Sequence, residues 1–215
     1  MAAPPCTWWQ RAYVGGVKHD SFGAVVRDYG RYALFLGLFA AALVALEIFD
    51  AFVLRGALDA FGIRPRSLEG LRGIALAPFL HGNLAHVIAN ATSILVLGSL
   101  LVARGPRIFW LSTLFSVVVS GLGIWAVGAP HSLHIGASGL IFGWLGTLIA
   151  AGWFERRIGS MLLSLVCLVA FGGMIWGVLP GAPGISWEAH MFGFIGGVLA
   201  ARLLKPRAKT PRRVP

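Results

Sequence analysis

The sequence predicts an all-α polytopic membrane protein, a bundle of six transmembrane helices with an interfacial first external loop. Its 215 residues are 57% hydrophobic and 12% charged, with a mean hydropathy of +0.79, whereas soluble domains average about 45–50% apolar and 25% charged. Six apolar stretches stand apart, and six spans of about 20 residues fit the length where twelve do not. Lys and Arg fall between and beyond these stretches, concentrated on alternate connections. The composition excludes disordered, collagen-like, disulfide-scaffold and ordinary soluble enzyme classes, and it leaves no room for a large extramembrane domain.

Taken in order, residues 1–30 form an N-terminal segment without the continuous apolar core and small-residue cleavage site of a secretory signal, so the N-terminus is expected to be retained. The membrane domain covers 31–204. Its spans are Tyr32–Leu54, His81–Ala103, Ile108–Gly128, Ser138–Phe154, Ile158–Leu179 and Ser186–Leu204. Arg55–Leu80 alternates apolar with charged residues, as a segment lying along the membrane surface does. Pro180–Trp187 is short and rich in Gly and Pro, as a movable cap would be. Residues 205–215 (KPRAKTPRRVP) read as a basic, disordered tail that sets topology and touches anionic headgroups. Cys6 precedes the first span and Cys167 lies in mid-span, so no disulfide is expected between them.

Charge sets the orientation. With six spans, Arg11, Lys18, Arg27, Arg31, Arg104, Arg107, Arg156, Arg157, Arg202, Lys205, Arg207, Lys209, Arg212 and Arg213 share one side, and only Arg55, Arg64, Arg66 and Arg72 the other. This partition predicts both termini cytoplasmic. A basic excess placed in this way reads as topology rather than nucleic-acid binding. His81, Ser138 and His190 then lie in the outer half of the bilayer.

The second, fourth and sixth spans carry His, Asn or Ser, and polar side chains in lipid usually face the bundle interior and mark function. Ser138, in His134-Ile-Gly-Ala-Ser-Gly, opens the fourth span, where unpaired N–H groups and the helix dipole can stabilise an oxyanion. The pattern is not the soluble nucleophile elbow, because Leu140 stands where that motif needs Gly, and a serine cap on a close-packed face is the plainer alternative. Small residues recur at Gly139, Gly143, Gly146 and Ala150, and again at Gly193, Gly196, Gly197 and Ala200, which lets two helices approach closely. His190 precedes Gly193 by three and shares its face, so that pairing can bring a general base to Ser138. Glu188, offset by two, points elsewhere, which favours a Ser–His dyad over a triad. His86 and Asn90, four apart, share a helix face and can donate hydrogen bonds to an oxyanion. Polar glue between helices is the alternative for both.

Together these residues resemble the rhomboid family of intramembrane serine proteases, over about Leu71 to Leu204. The family's Gly-x-Ser-Gly stands as Gly136-Ala-Ser138-Gly139, its His-x4-His-x3-Asn as His81, His86 and Asn90, and its base before a Gly-rich face as His190. The resemblance implies a six-span rhomboid-like bundle with Ser138 as nucleophile and His190 as base. It further implies an oxyanion hole from the Ser138 N–H, His86 and Asn90, with His81 supporting a hydrated entrance and the first external loop. The implied reaction is acyl-enzyme hydrolysis of single-pass membrane proteins, with membrane lipids as surroundings, no nucleic acid partner, a monomer or weak oligomer, and no metal or organic cofactor. The protein would be a multi-pass protein of the cell membrane, its site opening externally. Two positions depart from the family. Leu71-Arg72 stands for a frequent Trp-Arg, and Phe142 stands where some members stack a tyrosine on the histidine.

Three other readings remain at this level. One is a metal or haem protein using His81, His86, His131, His134 and His190, and another is a client-binding relative without catalysis. The third, a transporter, would have to explain Glu47 and Asp50 in the first span, for which a structural hydrogen bond or salt bridge to the external loop is the default expectation. No internal repeat supports it.

Overall fold

The computed structural model describes residues 22–181 and 184–204, and all regular structure among them is helical. Cys6, most of the N-terminal segment, the 205–215 tail and Ala182-Pro183 of the expected cap lie outside the described residues. Six long helices follow the apolar stretches: α1 (Phe22–Phe49), α2 (Leu84–Ala103), α3 (Pro106–Val127), α4 (Ser138–Glu155), α5 (Ile158–Phe171) and α6 (Trp187–Leu204). Val26–Leu54, Leu84–Ala103, Pro106–Val127 and Ile158–Val178 are each long and apolar enough to cross a membrane. The 18-residue α4 and α6 are the glycine-rich helices, and their glycines and polar residues lower their hydropathy.

Helix ends follow local chemistry. α1 begins ten residues before the apolar stretch, where Arg31 pairs with Asp28 one turn earlier at 3.5 Å. It leaves through a π-turn at Asp50–Leu54, stopped by Arg55 in the left-handed region (φ 56°). Asn83 caps α2 by accepting from the His86 N–H at 2.9 Å. Pro106 occupies the first turn of α3, where its missing N–H costs nothing. α5 stops at Phe171, eight residues short of the expected end, and continues as a 3-10 turn over Gly172–Val178. The Gly172-Gly173 pair at that point weakens α-helix propagation.

α4 is the central helix. Every residue from Gly139 to Leu148 is buried, and the core gathers Leu36 and Leu43 of α1, Val87, Ile94 and Leu97 of α2, and Phe109 of α3 around Leu140, Trp144 and Leu148. Lipid gives no hydrophobic drive between helices, so contact distance decides packing. A Cβ on Gly193 would overlap the Gly139 carbonyl, and one on Gly197 would overlap that of Gly143. α4 and α6 therefore meet backbone to backbone, and Thr147 Oγ1 donates to the carbonyls of Gly143 (3.0 Å) and Gly197 (3.1 Å). Gly196 departs from the expected pairing and turns instead to the Phe115 carbonyl of α3. α3 supplies a matching row of buried serines, Ser112, Ser116 and Ser120, and Ser120 Oγ donates to the Ala189 carbonyl at 3.0 Å.

The first connection has a fold of its own. It folds into short turns at Ala57–Phe61, Glu69–Arg72, Gly73–Leu76 and Ala77–Phe79, and Ile63 exchanges two backbone hydrogen bonds with His134, at 2.9 and 3.0 Å. Ile63 and Ala77 bury against Ile124 and Ala189. With Leu71 in place of tryptophan, other groups anchor the loop. Trp125 Nε1 donates to the Ser67 carbonyl at 2.8 Å, Arg66 donates to the Ala126 carbonyl at 3.1 Å, and the Arg72 guanidinium lies 4.9 Å over the Phe61 ring. The expectation for the span acids holds for Asp50, whose Oδ1 accepts from the Leu58 N–H at 3.0 Å. At the opposite end of the bundle, Arg104 pairs with Glu155, which also accepts from Ser160.

Candidate active site

The N-termini of α2, α4 and α6 lie at the same end of the bundle, and a cavity of about 810 Å³ opens among them. Ser138, His190, His86, Asn90 and Phe142 all line it, so the structure gathers five of the eight site residues named from sequence around one space. Of the other three, Gly136 packs against two of these side chains, Gly139 lies in the helix contact and His81 sits behind His86.

Ser138 is the first residue of α4, and Ala137, not the serine, holds the capping position. The capping alternative therefore does not hold. The Ser138 hydroxyl makes no hydrogen bond to a described residue and faces the cavity half-buried, while its N–H belongs to the helix's unpaired first turn.

His190 is 9% exposed and held by two contacts. Its ring stacks on Phe142 at 3.9 Å between centroids and 7° between planes, so phenylalanine keeps the stacking surface that some family members take from tyrosine. Its Nδ1 lies 2.9 Å from the Gly177 carbonyl. A carbonyl only accepts, so Nδ1 carries the proton, and the lone pair of the neutral ring is on Nε2. A backbone carbonyl of the 3-10 turn, not a carboxylate, thus holds the His190 ring. Glu188 is engaged elsewhere, accepting from Ser186 Oγ at 3.3 Å. Ser138 and His190 share the cavity without a direct hydrogen bond, a geometry that in many enzymes tightens only when substrate is seated.

Gly136 lies against His86 and Asn90. Its φ of +114° favours glycine, and a Cβ there would sit 2.8 Å from His86 Nε2 and 3.6 Å from Asn90 Nδ2. The bare backbone thereby lets the loop before Ser138 approach both donors. Asn90 is 6% exposed and its Nδ2 has no partner among the described residues. An unpaired buried amide costs about 1–3 kcal/mol, so its retention calls for an acceptor during function. His81 does not line the cavity. It is buried with its ring edge-to-face against His86 at 5.1 Å, where it fixes the ring in front of it.

Sequence reasoning missed a second polar chain. Ser132 Oγ donates to the Ala129 carbonyl and so accepts from His134 Nε2 at 2.7 Å, and His134 Nδ1 lies 2.7 Å from Ser186 Oγ. Burial pushes the His134 imidazole below its ordinary range, and Glu188 opposes that shift. The contact between His134 and Ser186 ties the loop before Ser138 to the start of α6. Among the described residues no three His, Cys, Asp or Glu side chains converge as a metal site would require.

The fold and site define a multi-pass, all-helical membrane protein with a cavity that presents Ser, His and Asn side chains at one end of the bundle. The chain belongs to the rhomboid family, as its residues 69–207 match the Rhomboid domain. An uncharacterized protein of Mycobacterium tuberculosis is 40% identical over 183 residues, covering 81% of this chain and 75% of the relative. An uncharacterized protein of Mycobacterium leprae is 40% identical over 182 residues, 80% of this chain and 71% of the relative. Rhomboid-like protease 5 of Toxoplasma gondii is 28% identical over 158 residues, 67% of this chain and 17% of that protein. Family and relatives together support a protease that works in a membrane.

Proposed function

We propose that this protein is an intramembrane serine endopeptidase using a Ser138–His190 dyad. The observation that carries the reading is the convergence of Ser138, His190, His86 and Asn90 on one cavity, with His190 already in the tautomer a base needs. In this mechanism Ser138 Oγ attacks the scissile carbonyl carbon while Nε2 of His190 takes its proton. The oxyanion is held by the Ser138 N–H, the His86 ring and the Asn90 amide. His190 then gives the proton to the leaving amine. The acyl-enzyme is hydrolysed by water that His190 deprotonates.

The substrates are membrane proteins. A peptide bond inside a stable helix is shielded and hydrogen-bonded, so single-pass substrates with small or helix-weakening residues near the interface suit the site best. The fourteen-to-four partition of basic residues supports six spans, cytoplasmic termini and a site opening to the external side. One chain supplies every reacting group, so a monomer suffices.

The test is cleavage of a single-pass substrate by the purified protein in liposomes. The parent should cut, and folded Ser138→Ala and His190→Ala should lose at least about a thousandfold in rate. A parent inert toward several substrates yet able to bind them would favour the client-binding reading.

A further inference from the structure

A second cavity, of about 480 Å³, lies beside the first between the opening turns of the first connection and the loop before α4. It is lined by Arg64, Arg66, His131, Ser132 and Leu133, and by no carboxylate. Ser132 and Leu133 line both cavities, so a chain leaving the active-site cavity across them passes directly over the arginines. Arg64 is exposed and has no ion-pair partner among the described residues. Arg66 and His131 face this space with positive φ, 55° and 62°. Non-glycine residues keep that backbone only where their surroundings hold it. The Arg66 N–H donates to the Trp125 carbonyl at 2.9 Å, and the Ile63–His134 pairing joins the arginine loop to the segment that leads into Ser138.

We propose that this groove is an exosite for acidic side chains flanking the cleaved segment of a membrane-protein substrate. The inference rests on the protease reading and adds a substrate class to it. Two guanidinium groups beside a wall without carboxylates attract acidic side chains, and a contact made outside the reacting centre steers and retains substrate rather than speeding the chemical step. The effect belongs in KM and weakens with salt.

The experiment compares three single-pass substrates that differ only at two residues flanking the cleaved segment on the active-site side: Asp-Asp, Asn-Asn and Lys-Lys. The parent is expected to prefer Asp-Asp over Lys-Lys by about tenfold in kcat/KM at low salt, through KM, with the gap closing at high salt. Arg64→Glu with Arg66→Glu should invert the order. Arg64→Glu alone, which removes no fold contact, should narrow it. Equal use of the three substrates by the parent, or an unchanged order in both variants, would overturn the exosite while cleavage of Asn-Asn leaves the protease reading standing. If nothing is cut, the protease reading fails, and binding of the same substrates by Ser138→Ala still decides the groove. The reactions are run in zwitterionic and in anionic vesicles. Loss in the variants that follows vesicle charge and ignores substrate charge would assign the groove to lipid headgroups and also overturn the proposal.

Discussion

The proposed nucleophile and its proposed base are held by regions built in opposite ways. Ser138 opens α4, which is packed on all sides and meets α6 through backbone atoms. His190 stands on α6, but its orienting partner, the Gly177 carbonyl, belongs to the 3-10 turn after α5. That α5 region is peripheral, with Val169 77% and Trp176 74% exposed and only Ser160 and Cys167 buried in the helix. Ser138 thus stands on a close-packed frame, and the carbonyl that holds His190 belongs to a peripheral wall. Movement of that wall would therefore change the activity without unfolding the frame.

The largest effect should come from breaking the rigid half. In Gly143→Val the new side chain meets Ser116 and, at 2.9 Å, the Gly193 carbonyl. Backbone cannot step aside as a side chain can, so thermal melting in detergent should report a loss of about 3 kcal/mol or more. Val169→Ala on α5 should move the same melting curve by less than about 0.5 kcal/mol.

The loose half should fail in function instead. Gly177→Ala places a Cβ 3.0 Å from His190 Nδ1 and 3.3 Å from Phe142. Turnover is expected to fall about tenfold, the measure of a misplaced general base, while the melting temperature stays near the parent's. A fall in both together would show that the 3-10 turn belongs to the rigid frame.

Smaller effects sharpen the picture at the first connection. Trp125→Phe removes the 2.8 Å bond to Ser67 and should cost about 1 kcal/mol in a chemical melt. Asp50→Ala should cost a similar amount by freeing the Leu58 N–H, and Asp50→Asn, which keeps an accepting oxygen, should cost less. Near the site, Phe142→Tyr retains the stacked ring and should leave turnover within about twofold of the parent.

Much of the frame was legible because span length and small-residue spacing act through local rules. The six helix centres follow from apolar runs, and the α4–α6 contact follows from Gly139, Gly143, Gly193 and Gly197. The same rule would have found Ser112, Ser116 and Ser120 on α3, had serine been counted as a small residue there. The Gly177 carbonyl was not legible, since every residue carries a carbonyl and nothing in the sequence marks the one that meets a histidine. The His134–Ser186 bond and the Trp125 anchor join residues 52 and 58 positions apart. Only the folded chain brings such partners together. The internal turns of the first connection were not legible for the same reason, because alternating apolar and charged residues do not say which turns form or which helices they meet.

The most direct test of the dyad is labelling with a fluorophosphonate, followed by mass spectrometry of the adduct. The account predicts one adduct, on Ser138, absent in Ser138→Ala and formed at least about a hundredfold more slowly in folded His190→Ala. An adduct on another residue, or labelling of Ser138 at the parent's rate without His190, would contradict it.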